Sequence, residues 1–292
     1  MRDPEHSFTM KRPALVIHGG TGGRPNARRL EAIRHSLRAI CEEAYAYLAS
    51  RSAVEGVACA VRRLEADPLF NAGIGSIVQA DGVARMSASI MDGAAMRFAG
   101  VVNIERVRHP VDVASALLGE EDRVLAGPGA TQFAQASGMP LRSSADPVQP
   151  MRSPRGTAHD RVIHETVGAV ALDRRGRLAA ATSTGGKRGQ RVGRVSDSGL
   201  PVGNYANAHV AISCTGIGEE IIEEGLAVRI AQRVADGASL SQACVRTFRE
   251  LRQRRRRMGA IALDRTGCYA VSTTLPILFA VTRLPDQRIE HF

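Results

Sequence analysis

The first part of the chain carries three hydrophobic patterns that change from strand-like to helix-like. Residues 14–18 form an apolar run ending in a histidine, which predicts a short buried strand. Between residues 26 and 47, apolar side chains recur at helical spacing, at positions 30, 33, 37, 40, 44 and 47. A second helix is predicted to run to residue 64 from Ser52, which begins a capping box with Glu55.

The middle of the chain ends in a segment that has no periodicity. Residues 67–75 are rich in turn formers, and strand-like residues follow up to position 107. Residues 111–138 are predicted to be helical. Residues 139–160 are rich in Pro, Ser and Arg, and we interpret residues 139–165 as a linker.

Two hairpins dominate the pattern after this linker. Strand-like residues 166–173 and 177–184 flank a turn ending in Gly176, and residues 260–264 and 268–272 repeat the arrangement. A strand and two helical regions are predicted between the hairpins, at residues 209–214, 219–234 and 240–252. Paired strands with grouped helices predict an α+β layered sandwich with antiparallel sheets.

Composition narrows the classes of protein. With 292 residues, 44% apolar and 23% charged, the chain is long enough for one large domain or two small ones. No apolar run reaches the length of a membrane span. Residues 1–9 resemble a tail, so we expect the protein to begin at either Met1 or Met10. The five cysteines lack a CxxC pair, which predicts reduced thiols in the cytoplasm.

The net charge of +10 raises the alternative of a nucleic-acid partner. The densest basic run, Arg252 and residues 254–257, ends a predicted helix, where cations complement the helix dipole. Aromatic residues that would stack on bases are missing around it. We therefore expect no nucleic-acid partner and interpret these arginines as a solvated surface.

Three glycine-rich segments are candidates for chemistry. Residues 18–23 lack the Gly-Lys-Ser/Thr ending of a phosphate-binding loop, and we interpret them as a turn where backbones pack closely. Residues 181–186 and 213–219 each place hydroxyls and flexible amides after a strand. Such strand ends bind anions or form oxyanion holes, although ordinary turns have the same composition.

The junction between the linker and the next strand carries a further hypothesis. The linker ends at Glu165, and Thr166 begins the strand. Cleavage between them would give Thr166 a free α-amine, which titrates at about 7.7–8.0, beside its own hydroxyl. One residue would then hold both the nucleophile and the general base. A purely structural threonine is the alternative from these residues alone.

Eight segments in order resemble one known family. They are residues 18–22, 67–73, 89–93, 124–130, 166–173, 179–186, 193–198 and 213–216. The chain is similar to the plant-type asparaginase/isoaspartyl peptidase family of N-terminal-nucleophile hydrolases. The resemblance implies a four-layer αββα sandwich over residues 1–292, made as a precursor that cuts itself after Glu165 into chains 1–165 and 166–292. It also implies a homodimer of the processed protomers.

The resemblance implies an activity and roles for individual residues. Thr166 would attack the side-chain amide of asparagine or of a β-aspartyl dipeptide, aided by Thr184. Arg194 would pair with the substrate α-carboxylate and Asp197 with its α-ammonium. The remaining implied residues are the oxyanion-hole pair Thr215 and Gly216, Gly218 on the substrate loop, and Asn71, which orients the nucleophile.

The family also implies a structural sodium ion, while catalysis needs no cofactor. The matching carbonyl ligands are those of Leu64, Glu65, Asp67, Phe70, Ala72 and Ile74. The chain departs from the family at Glu165, where relatives have Gly or Asp, and at Ser196, where Gly is common. Two alternatives remain open: a hydrolase of another β-aspartyl amide such as glycosylasparagine, and an unprocessed, non-catalytic binding protein.

Overall fold

The computed structural model of the protein describes residues 12–142, 163–164 and 166–292. Its strands are β1 Ala14–Gly22, β2 Met86–Asp92, β3 Arg97–Ile104, β4 Val124–Ala126, β5 Ile163–His164, β6 Val167–Leu172, β7 Leu178–Thr184, β8 Asn204–Ala206, β9 Val210–Gly216, β10 Met258–Asp264, β11 Tyr269–Thr273, β12 Ile277–Arg283 and β13 Arg288–His291. Its helices are α1 Ala27–Leu48, α2 Ala53–Glu65, α3 Pro110–Leu117, α4 Gly127–Ala136, α5 Gly218–Glu224, α6 Leu226–Ala235 and α7 Leu240–Gln253. Most of the predicted linker, Glu165 and both alternative starts lie outside the described residues.

Two sheets organise the described part of the chain. The larger sheet has the order β13-β12-β1-β6-β7-β2-β3-β4, with β5 paired to β1, and the smaller has the order β11-β10-β9-β8. Neighbouring strands are antiparallel, apart from β3 and β4. Val167 pairs with Ser183 on the neighbouring strand. The start of β6 therefore lies beside the end of β7.

A hydrophobic core lies between each pair of neighbouring layers. Helices α1–α4 cover one face of the larger sheet, where Val57 and Ala169 belong to one core. The opposite face packs against the smaller sheet, with Val170 and Ile261 in the core between them. The second face of the smaller sheet packs against α5–α7, as Ile212 shows. This order of layers is compatible with the predicted α+β sandwich.

Several local predictions are confirmed. The first predicted helix is present as α1; its cap, the Asn26 side chain, which accepts a hydrogen bond from a backbone N–H, was not predicted. Ser52 and Glu55 form both hydrogen bonds of the capping box at α2. Both predicted hairpins are present, as β6–β7 and β10–β11. Their turns contain Gly176 and Gly267 with φ of 76° and 90°, values that favour glycine.

Two regions that were predicted to be helical are interrupted in the structure. Residues 111–138 are not one helix, because α3 and α4 are separated by β4, and α4 begins at Gly127 with φ of 51°. The region 219–234 divides into α5 and α6 at Gly225, whose left-handed φ of 57° ends a helix. No helix in the described ranges combines the length and apolar character needed to cross a membrane.

The interpretation of the arginine run as a solvated surface is wrong in part. Arg254 and Arg256 both bind the carboxylate of Glu224, whose side chain is 3% exposed. The backbone N–H of Arg257 donates to Glu220 at 2.6 Å. The run therefore ties the end of α7 to α5, because a buried carboxylate needs cationic partners.

Candidate active site

Thr166 immediately precedes β6, and its side chain is buried. Its Oγ donates a hydrogen bond to Oγ of Thr184, the last residue of β7, at 3.2 Å. Thr184 Oγ also accepts the N–H of Gly186 at 3.1 Å. The structure thus brings these two predicted hydroxyls together. Glu165, the other half of the predicted cleavage site, lies outside the described residues.

Asn71 holds the loop that follows Thr184. Its carbonyl accepts the N–H of Gly185 at 2.8 Å, and its side-chain amide donates to the carbonyl of Gly186 at 2.6 Å. Its Oδ1 accepts the N–H of Ile77 at 3.0 Å. A Cβ on Gly185 would lie 2.4 Å from Asn71 Oδ1, so only glycine fits this contact. In the described part of the chain, Asn71 is therefore connected to Thr166 through this loop and Thr184.

Arg194 forms a bidentate ion pair with Glu219. Its Nε and Nη2 donate to the two carboxylate oxygens at 3.0 and 2.9 Å, and its Nη1 donates to Oε1 of Gln190 at 3.2 Å. The Arg194 hydrogen bond, with help from Lys187, lowers the pKa of Glu219 to about 2. A guanidinium has five N–H groups, so Nη1 and Nη2 each retain one after these contacts. Those two N–H groups can donate to a second carboxylate.

Asp197 is a buried carboxylate with one oxygen unsatisfied. Ser196 Oγ donates to its Oδ1 at 3.1 Å, whereas Oδ2 has no hydrogen-bond partner in the described part of the chain. Burial raises the pKa of Asp197 to about 6. A Cβ on Gly218 would lie 2.6 Å from Arg194 Nη2 and 2.8 Å from Asp197 Oδ1. The three predicted substrate-binding residues therefore converge, and the two charges can hold an α-carboxylate and an α-ammonium together.

The predicted oxyanion-hole residues end strand β9. Thr215 is fully buried, and Gly216 has φ of 141°. A Cβ on Gly216 would lie 2.6 Å from the carbonyl of Arg257, so a side chain does not fit there. Ser213 faces the larger sheet, and Thr215, two residues along the strand, shares that face. The pair thus lies on the side of the smaller sheet that carries the site.

A buried polar chain lies behind the nucleophile. His18 Nε2 is 2.9 Å from Ser213 Oγ, which is 2.7 Å from Thr182 Oγ1. Thr182 donates in turn to Oδ1 of Asn204 at 3.2 Å. Burial lowers the pKa of His18 to about 3, against the smaller opposing influence of the Thr166 backbone carbonyl, so the ring is neutral. These contacts join the start of β6 to the smaller sheet.

Gly168 leaves the space that this polar chain needs. A Cβ there would lie 1.9 Å from Ser213 Oγ and 2.5 Å from His18 Nε2. We expect Gly168→Ala to reduce the free energy of unfolding by about 1–3 kcal/mol, because the buried groups must move apart. Urea denaturation measures this change. Gly129→Ala, in α4 with no atom within 4 Å of its Cβ position, should not destabilise. Equal losses in both variants would contradict the prediction.

The predicted sodium ligands lie at the end of α2 and in the turn after it. They are the carbonyls of Leu64, Glu65, Asp67, Phe70, Ala72 and Ile74. The carbonyl of Glu65 lies 2.2 Å from the Cβ position of Gly73, and that of Phe70 lies 2.1 Å from the Cβ position of Gly75. These two carbonyls therefore lie so close to the turn that only glycine fits at positions 73 and 75. Such oxygens, beside the C-terminus of a helix, suit a hard cation.

Comparison with known proteins places the chain in a family. A model of the Asparaginase family matches residues 11–153 and 142–290. The chain belongs to the asparaginase family. Within it, the chain is 43% identical over 288 residues to the isoaspartyl peptidase/L-asparaginase of Nostoc sp., covering 92% of this chain and 91% of that relative.

More distant asparaginase-family members match over most of their length as well. The isoaspartyl peptidase of Escherichia coli is 37% identical over 288 residues, covering 90% of each chain. The isoaspartyl peptidase/L-asparaginase of Homo sapiens is 33% identical, covering 90% of this chain and 92% of the relative. The similarity therefore extends across both predicted chains of this asparaginase-family protein.

Three residues of this asparaginase-family site had no role predicted from the sequence. Glu219 ends a motif that was recognised, yet its ion pair with Arg194 depends on a contact 25 residues apart. Gln190 is a buried amide in a loop of mostly basic residues. An uncharged amide among these cations was the feature of the sequence that could have indicated a structural role. The prediction that residues 18–23 form a turn is wrong, because β1 continues through His18 to Gly22. The polar neighbours of His18 come from strands far away in the sequence.

Proposed function

We propose that the protein is a self-processing threonine amidohydrolase that cleaves isoaspartyl (β-aspartyl) dipeptides and L-asparagine to give L-aspartate. The observation that carries this proposal is the buried hydroxyl of Thr166, hydrogen-bonded to Thr184 at the start of a strand. The converging groups of Arg194 and Asp197 support an α-amino-acid substrate. The names of the family relatives, isoaspartyl peptidase and L-asparaginase, support the same substrate class.

Self-cleavage would create the catalytic group. Thr166 Oγ attacks the carbonyl carbon of Glu165, and the acyl group moves from the Thr166 nitrogen to its oxygen. Water then hydrolyses this ester, which restores the hydroxyl and leaves the α-amine of Thr166 free. That amine titrates near neutrality, so part of it is unprotonated and can act as a base.

Hydrolysis would use the same hydroxyl a second time. The α-amine takes the Thr166 hydroxyl proton while Oγ attacks the side-chain carbonyl of the substrate, held by Arg194 and Asp197. Thr215 and Gly216 stabilise the oxyanion, an interaction whose loss typically costs about 10²–10³ in rate. The proton passes to the departing ammonia or amine, and water hydrolyses the acyl-enzyme to aspartate.

Several further properties belong to the same proposal. We infer that residues 1–292 form one domain of the N-terminal-nucleophile hydrolase type, a four-layer αββα sandwich cleaved after Glu165. We also propose a homodimer of processed protomers in the cytoplasm, without a nucleic-acid partner. Catalysis would need no cofactor. The six predicted carbonyls at the end of α2 and in the turn after it would hold a structural sodium ion, which stabilises the loop and supplies no catalytic chemistry.

The activity test compares matched substrates. Purified protein is incubated separately with β-aspartyl-leucine, L-asparagine, glycosylasparagine and the α-linked isomer aspartyl-leucine. We expect aspartate from the first two and none from the α-linked isomer, because the site would hold both α-groups of an aspartyl residue and present its side-chain carbonyl to Thr166. Glycosylasparagine has the same groups with a bulkier leaving group and tests the alternative substrate. Chromatography of the released amino acids measures the outcome, and the α-linked dipeptide is the control for general peptidase activity.

The other outcomes separate the alternatives. Hydrolysis of glycosylasparagine in preference to both expected substrates would favour the glycosylated amide. Absence of hydrolysis by a fully cleaved protein would contradict the proposed function. An uncleaved protein with salt-sensitive affinity for nucleic acid would favour the non-catalytic binding protein.

A further inference from the structure

The buried side-chain amide of Gln190 holds the loop between Thr184 and Arg194 in place through hydrogen bonds within the loop. Gln190 accepts the backbone N–H of Lys187 at 3.1 Å and a hydrogen bond from Arg194 at 3.2 Å. Its amide nitrogen lies 3.5 Å from the carbonyl of Gly185. The backbone N–H of Ala80 adds a hydrogen bond to the carbonyl of Gln190 at 3.0 Å. The tip of the loop is therefore positioned relative to the site.

Arg188 and Arg191 are the cations that this loop exposes without a partner. Both side chains are exposed, and neither has a hydrogen bond or ion pair to the described residues. Lys187 differs, since it binds Glu219 at 2.8 Å. Consecutive Cα atoms are 3.8 Å apart, so the Cα of Arg188 lies within about 7.6 Å of the Cα of Gly186, whose N–H is bound to Thr184.

The loop and the substrate-binding residues carry more cations than carboxylates. The cations are Lys187, Arg188, Arg191 and Arg194 and the carboxylates are Asp197 and Glu219, an excess of two positive charges within this set. L-asparagine is a zwitterion without net charge. A β-aspartyl dipeptide carries one additional carboxylate, and that group is on the leaving amino acid. The surplus cations therefore match a charge that only the dipeptide has.

We propose that Arg188 and Arg191 form a recognition site for the free α-carboxylate of the leaving amino acid, so that the enzyme prefers β-aspartyl dipeptides with a free C-terminus. The inference rests on the proposed function and adds the residues that select the leaving group. The two guanidinium groups attract the carboxylate as the dipeptide enters and hold it beside the scissile amide. Because both groups are exposed, the attraction weakens as ionic strength rises.

The test uses two substrates that differ only in this carboxylate. We compare β-aspartyl-leucine with β-aspartyl-leucinamide, which has the same scissile bond and side chain but a neutral end. For the cleaved wild-type protein at low ionic strength, we expect kcat/KM to be about five- to tenfold higher for the free acid. The double variant Arg188→Gln/Arg191→Gln should reduce this ratio to about one to two, with kcat/KM for L-asparagine unchanged.

A second double variant controls for bulk charge. Arg28→Gln/Arg249→Gln removes two exposed arginines from α1 and α7 and has the same net charge as the loop variant. It should retain the wild-type ratio, and 0.5 M NaCl should reduce that ratio only where the loop arginines are present. Equal use of acid and amide by wild type, or an unchanged ratio in the loop variant, would overturn the inference while leaving the proposed function intact. No hydrolysis of any substrate by the cleaved protein would overturn both.

Discussion

The variant Thr166→Ala should remain a single 31.2 kDa chain and should lack hydrolase activity. In wild type, cleavage after Glu165 should give fragments of 165 residues and 127 residues, the remainder of the 292. The first fragment is shorter if the chain begins at Met10. Intact-mass spectrometry of fresh and aged protein measures the cleavage. Release of aspartate from β-aspartyl-leucine measures the activity.

The expected loss is large because one atom serves two reactions. Thr166 Oγ is the nucleophile both for self-cleavage and for substrate attack, and the cleavage creates the amine that activates it. Removing a catalytic nucleophile typically reduces kcat by about 10⁴–10⁶. The alanine variant should still fold, since among the described residues the Thr166 side chain has one hydrogen bond, to Thr184.

Two further variants locate the effect at this hydroxyl. Thr166→Ser keeps both the hydroxyl and the future amine, so it should cleave and hydrolyse, although more slowly. Thr266→Ala changes an exposed-turn threonine that bonds to Asp264 and should match wild type in both assays. A wild-type chain that stays whole under all conditions would remove the free amine. The non-catalytic binding protein would then be the better interpretation.

The fold was predictable where local rules decide the conformation. The helix start at Ser52 follows from its capping box with Glu55, and the structure confirms it. Asn26 caps α1 by the same rule, although only the helical spacing was predicted there. Strand β4 was not predicted, because three residues become a strand only through pairing with β3. Strand β8 is equally short and forms through its pairing with β9. Such strands depend on tertiary contacts and leave no hydrophobic period in the sequence.

The candidate site was predictable as a set of motifs and much less as a network of contacts. Motifs identified Thr184, Arg194 and Asp197, and the structure brings Arg194 and Asp197 to the same Gly218. The bidentate partner of Arg194 was missed, although Glu219 stood in a quoted motif. Charge pairing between a loop and a helix depends on how the chain is folded, and the spacing of residues in the sequence does not give that distance.

Asp197 provides a second prediction, in which stability and activity change in opposite directions. Its carboxylate is buried with one oxygen unsatisfied, and burial raises its pKa from 3.8 to about 6. We expect Asp197→Asn to lose about 10²-fold or more in kcat/KM, because a neutral amide no longer pairs with the substrate ammonium. At pH 7.5 the same variant should gain about 1–3 kcal/mol in free energy of unfolding.

The sign of the stability change follows from the two pKa values. Between pH 4 and 6 the folded protein holds a proton on Asp197 that the unfolded chain has released. The stability contributed by this group is therefore complete below pH 4 and is lost as pH rises through about 6. Asparagine cannot ionise, so the advantage of the variant should be largest above pH 6 and should shrink toward pH 4.5.

Measurement at two pH values separates this cause from a general packing effect. Urea denaturation is performed at pH 7.5 and 4.5 in the Thr166→Ala background, where the chain stays single and unfolding involves one species. Ser196→Ala, which removes the hydrogen bond to Asp197 Oδ1, is the matched control and should destabilise at pH 7.5. A gain for Asp197→Asn that is equal at both pH values would show that the ionised carboxylate is not its source. A gain confined to high pH means that the ionised Asp197 carboxylate destabilises the folded protein. An ammonium group that binds beside it would relieve this destabilisation, and the free energy recovered would contribute to substrate binding.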